Sequence, residues 1–125
     1  MGKPQVLLVE DNPINALVVS RMIDALCEVV HVESDREAFE QVNQQDFALI
    51  LMDISLGHGS KDGTTIMQEL RQQARFARMP MLAVTSFAML GDREKFIAAG
   101  FDEYIPKPVD REDLLDKVKR FLSTA

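Results

Sequence analysis

Four places in the chain carry groups able to do chemistry on an anion. Glu10 and Asp11 stand together after the apolar run Val6-Leu7-Leu8-Val9. Asp53 closes the apolar run Phe47-Ala48-Leu49-Ile50-Leu51-Met52. Thr85 follows Met81-Leu82-Ala83-Val84, and Lys107 follows Glu103-Tyr104-Ile105-Pro106. Carboxylates crowded at one place repel one another, and such a cluster is costly unless a cation fills it. Oxygen donors without Cys or His suit a hard ion, Mg²⁺ above all, which takes one or two carboxylates plus phosphate oxygens and keeps several waters. The ammonium of Lys107 and the hydroxyl of Thr85 then suit an anion held beside the metal, with a phosphoryl group the obvious candidate. Asp53 would serve as nucleophile and form an aspartyl phosphate, while metal and lysine neutralise charge on the transferring group. Each residue also has a plainer use. Asp53, Glu10 or Asp11 can cap the element that follows, Thr85 can be an N-cap, and Lys107 can be a surface lysine. The chemical reading rests on all of them meeting at one rim.

The elements that would bring them there are legible in the apolar pattern. Residues 47–52 form an unbroken apolar run, as expected of a strand buried on both faces of a parallel sheet. Strands are expected at residues 6–9, 28–32, 47–52, 81–84 and 103–105. Between them lie helical patterns. Asn12-Pro13 starts the first, with Asn as N-cap and Pro at the first helical position, and Ile14, Val18, Met22, Ala25 and Leu26 keep its period. Ser34 with Glu37 forms a capping box for a helix to about residue 44. A third helix starts near Thr64 with Ile66, Met67 and Leu70 on one face. A fourth runs from about Leu90 to Gly100, and Asp110 caps a fifth whose stripe is Leu114, Leu115, Val118, Phe121 and Leu122. Strand and helix alternate five times, which argues for a doubly wound five-stranded parallel sheet with helices on both faces. In such a sheet ligands bind outside the carboxyl ends of the strands, which is where these groups fall.

Bulk properties narrow the classes. A chain of 125 residues is the size of one domain, 1–125. A net charge of −6 argues against a nucleic-acid surface. Cys27 is the single cysteine, so no intrachain disulfide can form and a reducing compartment is expected. No apolar run nears the roughly 20 residues of a membrane span, and Met1-Gly2-Lys3-Pro4 lacks the make-up of a secretory leader. The expected location is cytoplasmic. His31 lies in the second strand, away from the acidic ends, and is expected at the surface.

Taken together, Val6-Leu7-Leu8-Val9-Glu10-Asp11-Asn12, Leu49-Ile50-Leu51-Met52-Asp53, Ala83-Val84-Thr85 and Tyr104-Ile105-Pro106-Lys107-Pro108 resemble the receiver domain of two-component response regulators, over essentially the whole chain. The segments around Phe87 and Gly100 look most like receivers of single-domain regulators and hybrid kinases. The resemblance implies a flavodoxin-like strand order 2-1-3-4-5. It implies Asp53 as phosphoacceptor, with Thr85 and Lys107 on the phosphoryl group. Mg²⁺ would be held by Glu10, Asp11, Asp53 and the backbone carbonyl of Ser55. Tyr104 and Thr85 would be the switch residues, and the Lys107–Pro108 bond is expected to be cis. Implied partners are a sensor histidine kinase or a histidine phosphotransfer protein as donor and a downstream protein as receiver of the signal. The chain would catalyse only its own phosphorylation and dephosphorylation.

Some positions depart from the family pattern. Leu56-Gly57 stands where Met-Pro is usual, and the following Asp-Gly arrives late as Asp62-Gly63, so the loop should be longer and looser. His58 in that loop is expected to be solvated. Ser86 replaces a common Ala. The resemblance implies that Ser55 and Phe87 flank the approach of a hydrolytic water; neither offers an acid or amide to orient it, so a long-lived phosphorylated state is expected, the alternative being that Phe87 packs on a partner-binding face and the looser loop admits water. An Mg²⁺-dependent hydrolase with an Asp nucleophile would need a second Asp at Ser55. An FMN carrier would need a Ser/Thr/Gly-rich loop where Glu10-Asp11-Asn12 stands. Use as an unphosphorylated binding module would leave the full set of polar groups unexplained.

Overall fold

The computed structural model describes residues 2–57, 59–86 and 90–123. Five parallel strands, β1 (Gln5–Val9), β2 (Glu28–Val32), β3 (Leu49–Asp53), β4 (Met81–Thr85) and β5 (Glu103–Pro106), form one sheet in the order β2-β1-β3-β4-β5. The helices are α1 (Pro13–Ile23), α2 (Asp35–Gln44), α3 (Gly63–Arg71), α4 (Asp92–Ala99) and α5 (Arg111–Leu122). Among the described residues no helix is long and apolar enough to cross a membrane.

The sheet is buried on both faces because its strands alternate between two apolar clusters. Leu7, Val9, Ile50, Met52, Met81 and Ala83 pack with α2, α3 and Phe96 of α4. Val6, Leu8, Leu49, Leu51, Leu82, Val84 and Ile105 pack with Ala16, Val19 and Ile23 of α1 and Leu114 and Val118 of α5. Each fully buried Leu or Ile contributes roughly 1.5–3 kcal/mol. The central strand is therefore the best held element, and every residue of it is buried.

Capping follows the expected chemistry. Asn12 Oδ1 accepts from the Ile14 and Asn15 amides, Ser34 from Glu37, Asp62 from Thr65 and Asp110 from Asp113. The Lys107–Pro108 peptide is cis.

Several boundaries and faces differ from the sequence reading. β3 starts at Leu49 and takes in Asp53, because the ladder to β4 continues through Asp53↔Val84 and the Ile54 amide bonds the Val84 carbonyl at 3.2 Å. α1 stops at Ile23, where the amides of Leu26 and Cys27 both turn back onto the Ile23 carbonyl. Its buried face is Ala16, Val19 and Ile23, while Ile14, Leu17 and Val18 are exposed. α1 is apolar on more than one side, so periodicity alone did not select the face that meets the sheet. A short 3₁₀ turn, Ala74–Phe76, was not expected. It is held by the Arg71 guanidinium, which donates to the carbonyls of Phe76, Ala77 and Gly100 and to the Asp102 carboxylate.

Candidate functional site

Each strand end delivers one part of the site. β1 runs into Glu10 and Asp11, β3 ends on Asp53, β4 on Thr85, and β5 leads to Lys107. Glu10, Asp53 and Thr85 are 2%, 4% and 1% exposed, whereas Asp11 is on the surface. Carboxylate oxygens of Glu10, Asp11 and Asp53 all lie within 4.8 Å of one another. Lys107 Nζ donates to Glu10 Oε1 at 3.0 Å and lies 3.3 Å from Asp53 Oδ1. The Lys107 amide bonds the Thr85 carbonyl at 2.8 Å, which joins β5 to the end of β4. Ser55, Ser86 and Thr85 line, with the acids and Lys107, a cavity of about 250 Å³, several waters in size. The sequence-predicted site residues Glu10, Asp11, Asp53, Ser55, Thr85 and Lys107 thus surround one space.

The electrostatics follow from crowding. Burial, then hydrogen bonding to Glu10 and the charge of Glu10, push the Asp53 carboxyl up to about 7, against the opposing pull of Lys107. Burial also acts to raise Glu10. Its hydrogen bonds with Asp53, the Asn12 amide and Lys107 outweigh that and hold it below the usual range. Burial and the neighbouring Glu10 raise Asp11. Burial alone would lower Lys107, but Glu10 and Asp53 carry it above its ordinary value. One lysine cannot neutralise three carboxylates, and the crowding is felt most at Asp53. An all-oxygen donor set with that excess of negative charge fits a hard divalent cation such as Mg²⁺.

The backbone fixes Asp53 from the α3 side as well. The Gly63 amide bonds the Ile54 carbonyl at 2.9 Å. A Cβ at Gly63 would lie 2.1 Å from the Asp53 carbonyl oxygen, so only glycine lets α3 start this close to Asp53. The late Asp62-Gly63 pair therefore does a defined job, Asp62 capping the helix and Gly63 admitting its first turn. The described part of the long loop is anchored more than its composition suggests. Ile54 and Leu56 are buried, and Ser60 Oγ accepts from the Asp35 amide. His58 and Phe87 lie outside the described residues.

Tyr104 is half-buried on β5, with its ring stacked on Phe96 of α4 at 6.4 Å. Lys117 Nζ of α5 sits 5.5 Å from the ring centroid and donates to the Tyr104 carbonyl at 2.6 Å. His31 corrects the sequence reading. It is half-buried, and its Nε2 lies 2.7 Å from the carbonyl oxygen of Glu10. Its place one residue before the end of β2, a strand parallel to the one bearing the acid pair, was the available signal.

Comparison with known proteins agrees with this geometry. The sequence profile of the response regulator receiver domain matches residues 6–119. Sensor protein GacS of Pseudomonas syringae pv. syringae is 31% identical over 98% of this chain, and the histidine-protein kinase BarA of Escherichia coli K12 is 34% identical over 93%. The chain spans only 14% and 12% of those two proteins. It spans 97% of the polar-differentiation response regulator DivK of Brucella ovis, at 33% identity. Among solved structures, the receiver domain of sensor histidine kinase PA1611 from Pseudomonas aeruginosa PAO1 has a magnesium ion coordinated in its active site cleft. It superposes with a TM-score of 0.85 at 34% identity, covering 98% of this chain and 99% of that one. A response regulator from Chloroflexus aurantiacus shares the fold, with a TM-score of 0.88. The chain belongs to the response regulator receiver domain family.

Proposed function

We propose that this chain is a phosphorylation-controlled switch that takes a phosphoryl group onto Asp53 from a phosphohistidine of a sensor kinase or phosphotransfer protein. The observation that carries this reading is Lys107 Nζ, held between Glu10 and Asp53 at the edge of the acid cluster. An Asp53 oxygen forms the new P–O bond as the P–N bond of the donor breaks, and the departing imidazole takes up a proton. Asp53 must be ionised to attack, and Lys107 favours that form. Glu10, Asp11, Asp53 and the carbonyl of Ser55 are the proposed holders of Mg²⁺, which when bound neutralises charge on the phosphoryl oxygens. The Thr85 hydroxyl and Lys107 hold those oxygens once the group is transferred, and Tyr104 responds from the same strand as Lys107.

A groove of about 440 Å³ between α1 and the turn after β5 opens beside the site, with Val18, Val19, Pro108 and Val109 among its walls. With exposed Ile14 and Leu17 it makes an apolar surface of the kind a protein donor covers. The signal would leave through a downstream protein partner, and the reaction would take place in the cytoplasm.

Incubation with a small phosphodonor and Mg²⁺, read by intact mass, should add one phosphoryl group. Label that persists in Asp53→Ala or in chelator overturns the assignment.

A further inference from the structure

The acid pair is held from a direction that the phosphotransfer chemistry itself does not require. The β1–β2 ladder ends at the pair Val9↔Val32. One more bond follows, from the Glu10 amide to the Val32 carbonyl at 3.0 Å. Past Val32 the chain departs to cap α2 at Ser34. The Glu10 carbonyl is met instead by the imidazole of His31, with Nε2 at 2.7 Å. A carbonyl oxygen can only accept, so Nε2 must carry the hydrogen.

Glu10 is 2% exposed, and a buried carbonyl without a donor costs as much as a lost hydrogen bond. With His31 in place Glu10 is held at four points. Its amide and carbonyl are tied to β2, Oε1 accepts from Lys107, and Oε2 accepts from the Asn12 amide at 3.2 Å. Asp11 lies on the surface between Glu10 and the N-cap Asn12, so the backbone of those two residues sets where its side chain starts.

We propose that His31 is a positioning residue for the metal site: its Nε2–H fixes the Glu10 carbonyl and so sets the orientation of the Glu10–Asp11 pair toward the cation. His31 touches neither the cation nor the phosphoryl group. The inference rests on the proposed reading of Glu10 and Asp11 as the holders of Mg²⁺. Groups that orient metal ligands commonly change affinity by 10- to 100-fold when removed, and His31, acting through the ligand's backbone, belongs at about the lower end.

The test uses the full chain and Mg²⁺ alone, with binding read by titration calorimetry or NMR shifts and stability read by thermal unfolding in chelator. His31→Val removes the donor and puts a strand-favouring residue in its place; its Mg²⁺ affinity should fall about tenfold. His31→Gln supplies an amide N–H in place of the ring N–H and should restore binding to near the parent value. In the parent at alkaline pH, a long-range ¹H–¹⁵N spectrum should show the hydrogen on Nε2. Parent-like binding by His31→Val overturns the inference, as does an Nδ1–H tautomer. Equal weakening by Val and Gln also overturns it, because the ring would then act by packing alone. A loss of stability in chelator with unchanged Mg²⁺ affinity has the same consequence. Asp11→Ala separates the two levels. If it weakens Mg²⁺ while His31→Val does not, the metal reading stands and this inference fails; if it binds as the parent does, both fall.

Discussion

At the scale of single residues, the site is a balance between one ammonium and three carboxylates. Lys107 lies close enough to two of them to bridge, yet Asp53 is still pushed up to about 7. The excess charge is what a cation would relieve. Ser55 is exposed at the edge of the cavity and carries only a hydroxyl on one carbon. It offers neither the acid nor the amide that would orient a water in line with a phosphorus bonded to Asp53. Orientation of a reactant is commonly worth a factor of about ten or more, roughly 1.4 kcal/mol of barrier. The phosphorylated parent is therefore expected to persist, and Ser55→Asn to lose its label about tenfold faster, as measured by first-order decay in Mg²⁺. Equal decay of the two proteins would remove Ser55 as the determinant of lifetime.

At the scale of elements, two contacts tie helices to the strand ends. The first is the approach of α3 to Asp53 at Gly63, where a Cβ would meet backbone and cannot be accommodated by a side-chain shift. Gly63→Ala should cost about 1–3 kcal/mol, the usual range for overpacking, visible as a lower urea midpoint. It should also weaken Mg²⁺ binding, since the collision is with the Asp53 carbonyl. The second is Glu103 of β5, nearly fully buried, whose carboxylate takes Arg93 of α4 at 2.8 and 3.1 Å and Arg120 of α5 at 3.5 Å. Burial acts to raise the Glu103 carboxyl, but Arg93 and the Tyr104 amide outweigh it and hold it below the usual range. Its folded value thus lies below the unfolded one of about 4.3, so the stabilisation is present above that pH and fades as pH falls through the folded value. Glu103→Gln should lose about 1–3 kcal/mol at neutral pH, and its difference from the parent should shrink in acid, measured by denaturant unfolding at both. A difference that stays constant into acid would show that the clamp acts by shape and not by charge.

At the scale of the whole molecule, the site and the α4–β5–α5 side are parts of one sheet. Thr85 and Lys107 are joined backbone to backbone, and Tyr104, three residues before Lys107, packs on Phe96 and under Lys117. A phosphoryl group adds about −1.5 to −2 charge at one spot. Movement of Thr85 and Lys107 toward it is expected to reach Tyr104 and the helices beside it. Thr85→Ala should still accept the label on Asp53 while NMR shifts around Tyr104 and α4 stay near those of the unphosphorylated protein; full propagation in that variant would refute the coupling. The strands and their terminal acids were legible along the chain, because a doubly buried strand is a continuous apolar run and its carboxyl end is marked by the first polar residue. Asp53 after Met52, Glu10 after Val9 and Thr85 after Val84 all follow that rule. The start of β3, the buried face of α1 and the turn at Ala74–Phe76 were not legible. They depend on which neighbour supplies a ladder partner, on which of several apolar sides meets the sheet, and on where the Arg71 guanidinium finds carbonyls. The same holds for His31, whose bond joins residues 21 apart along the chain. By itself, then, the sequence determined the order of elements and the types of group at their ends, since both are set by neighbours along the chain. Only the tertiary structure decided that three carboxylates come within 4.8 Å, that Lys107 spans two of them, and that His31 holds the Glu10 backbone. Those distances are set by the register and packing of strands that are remote in sequence.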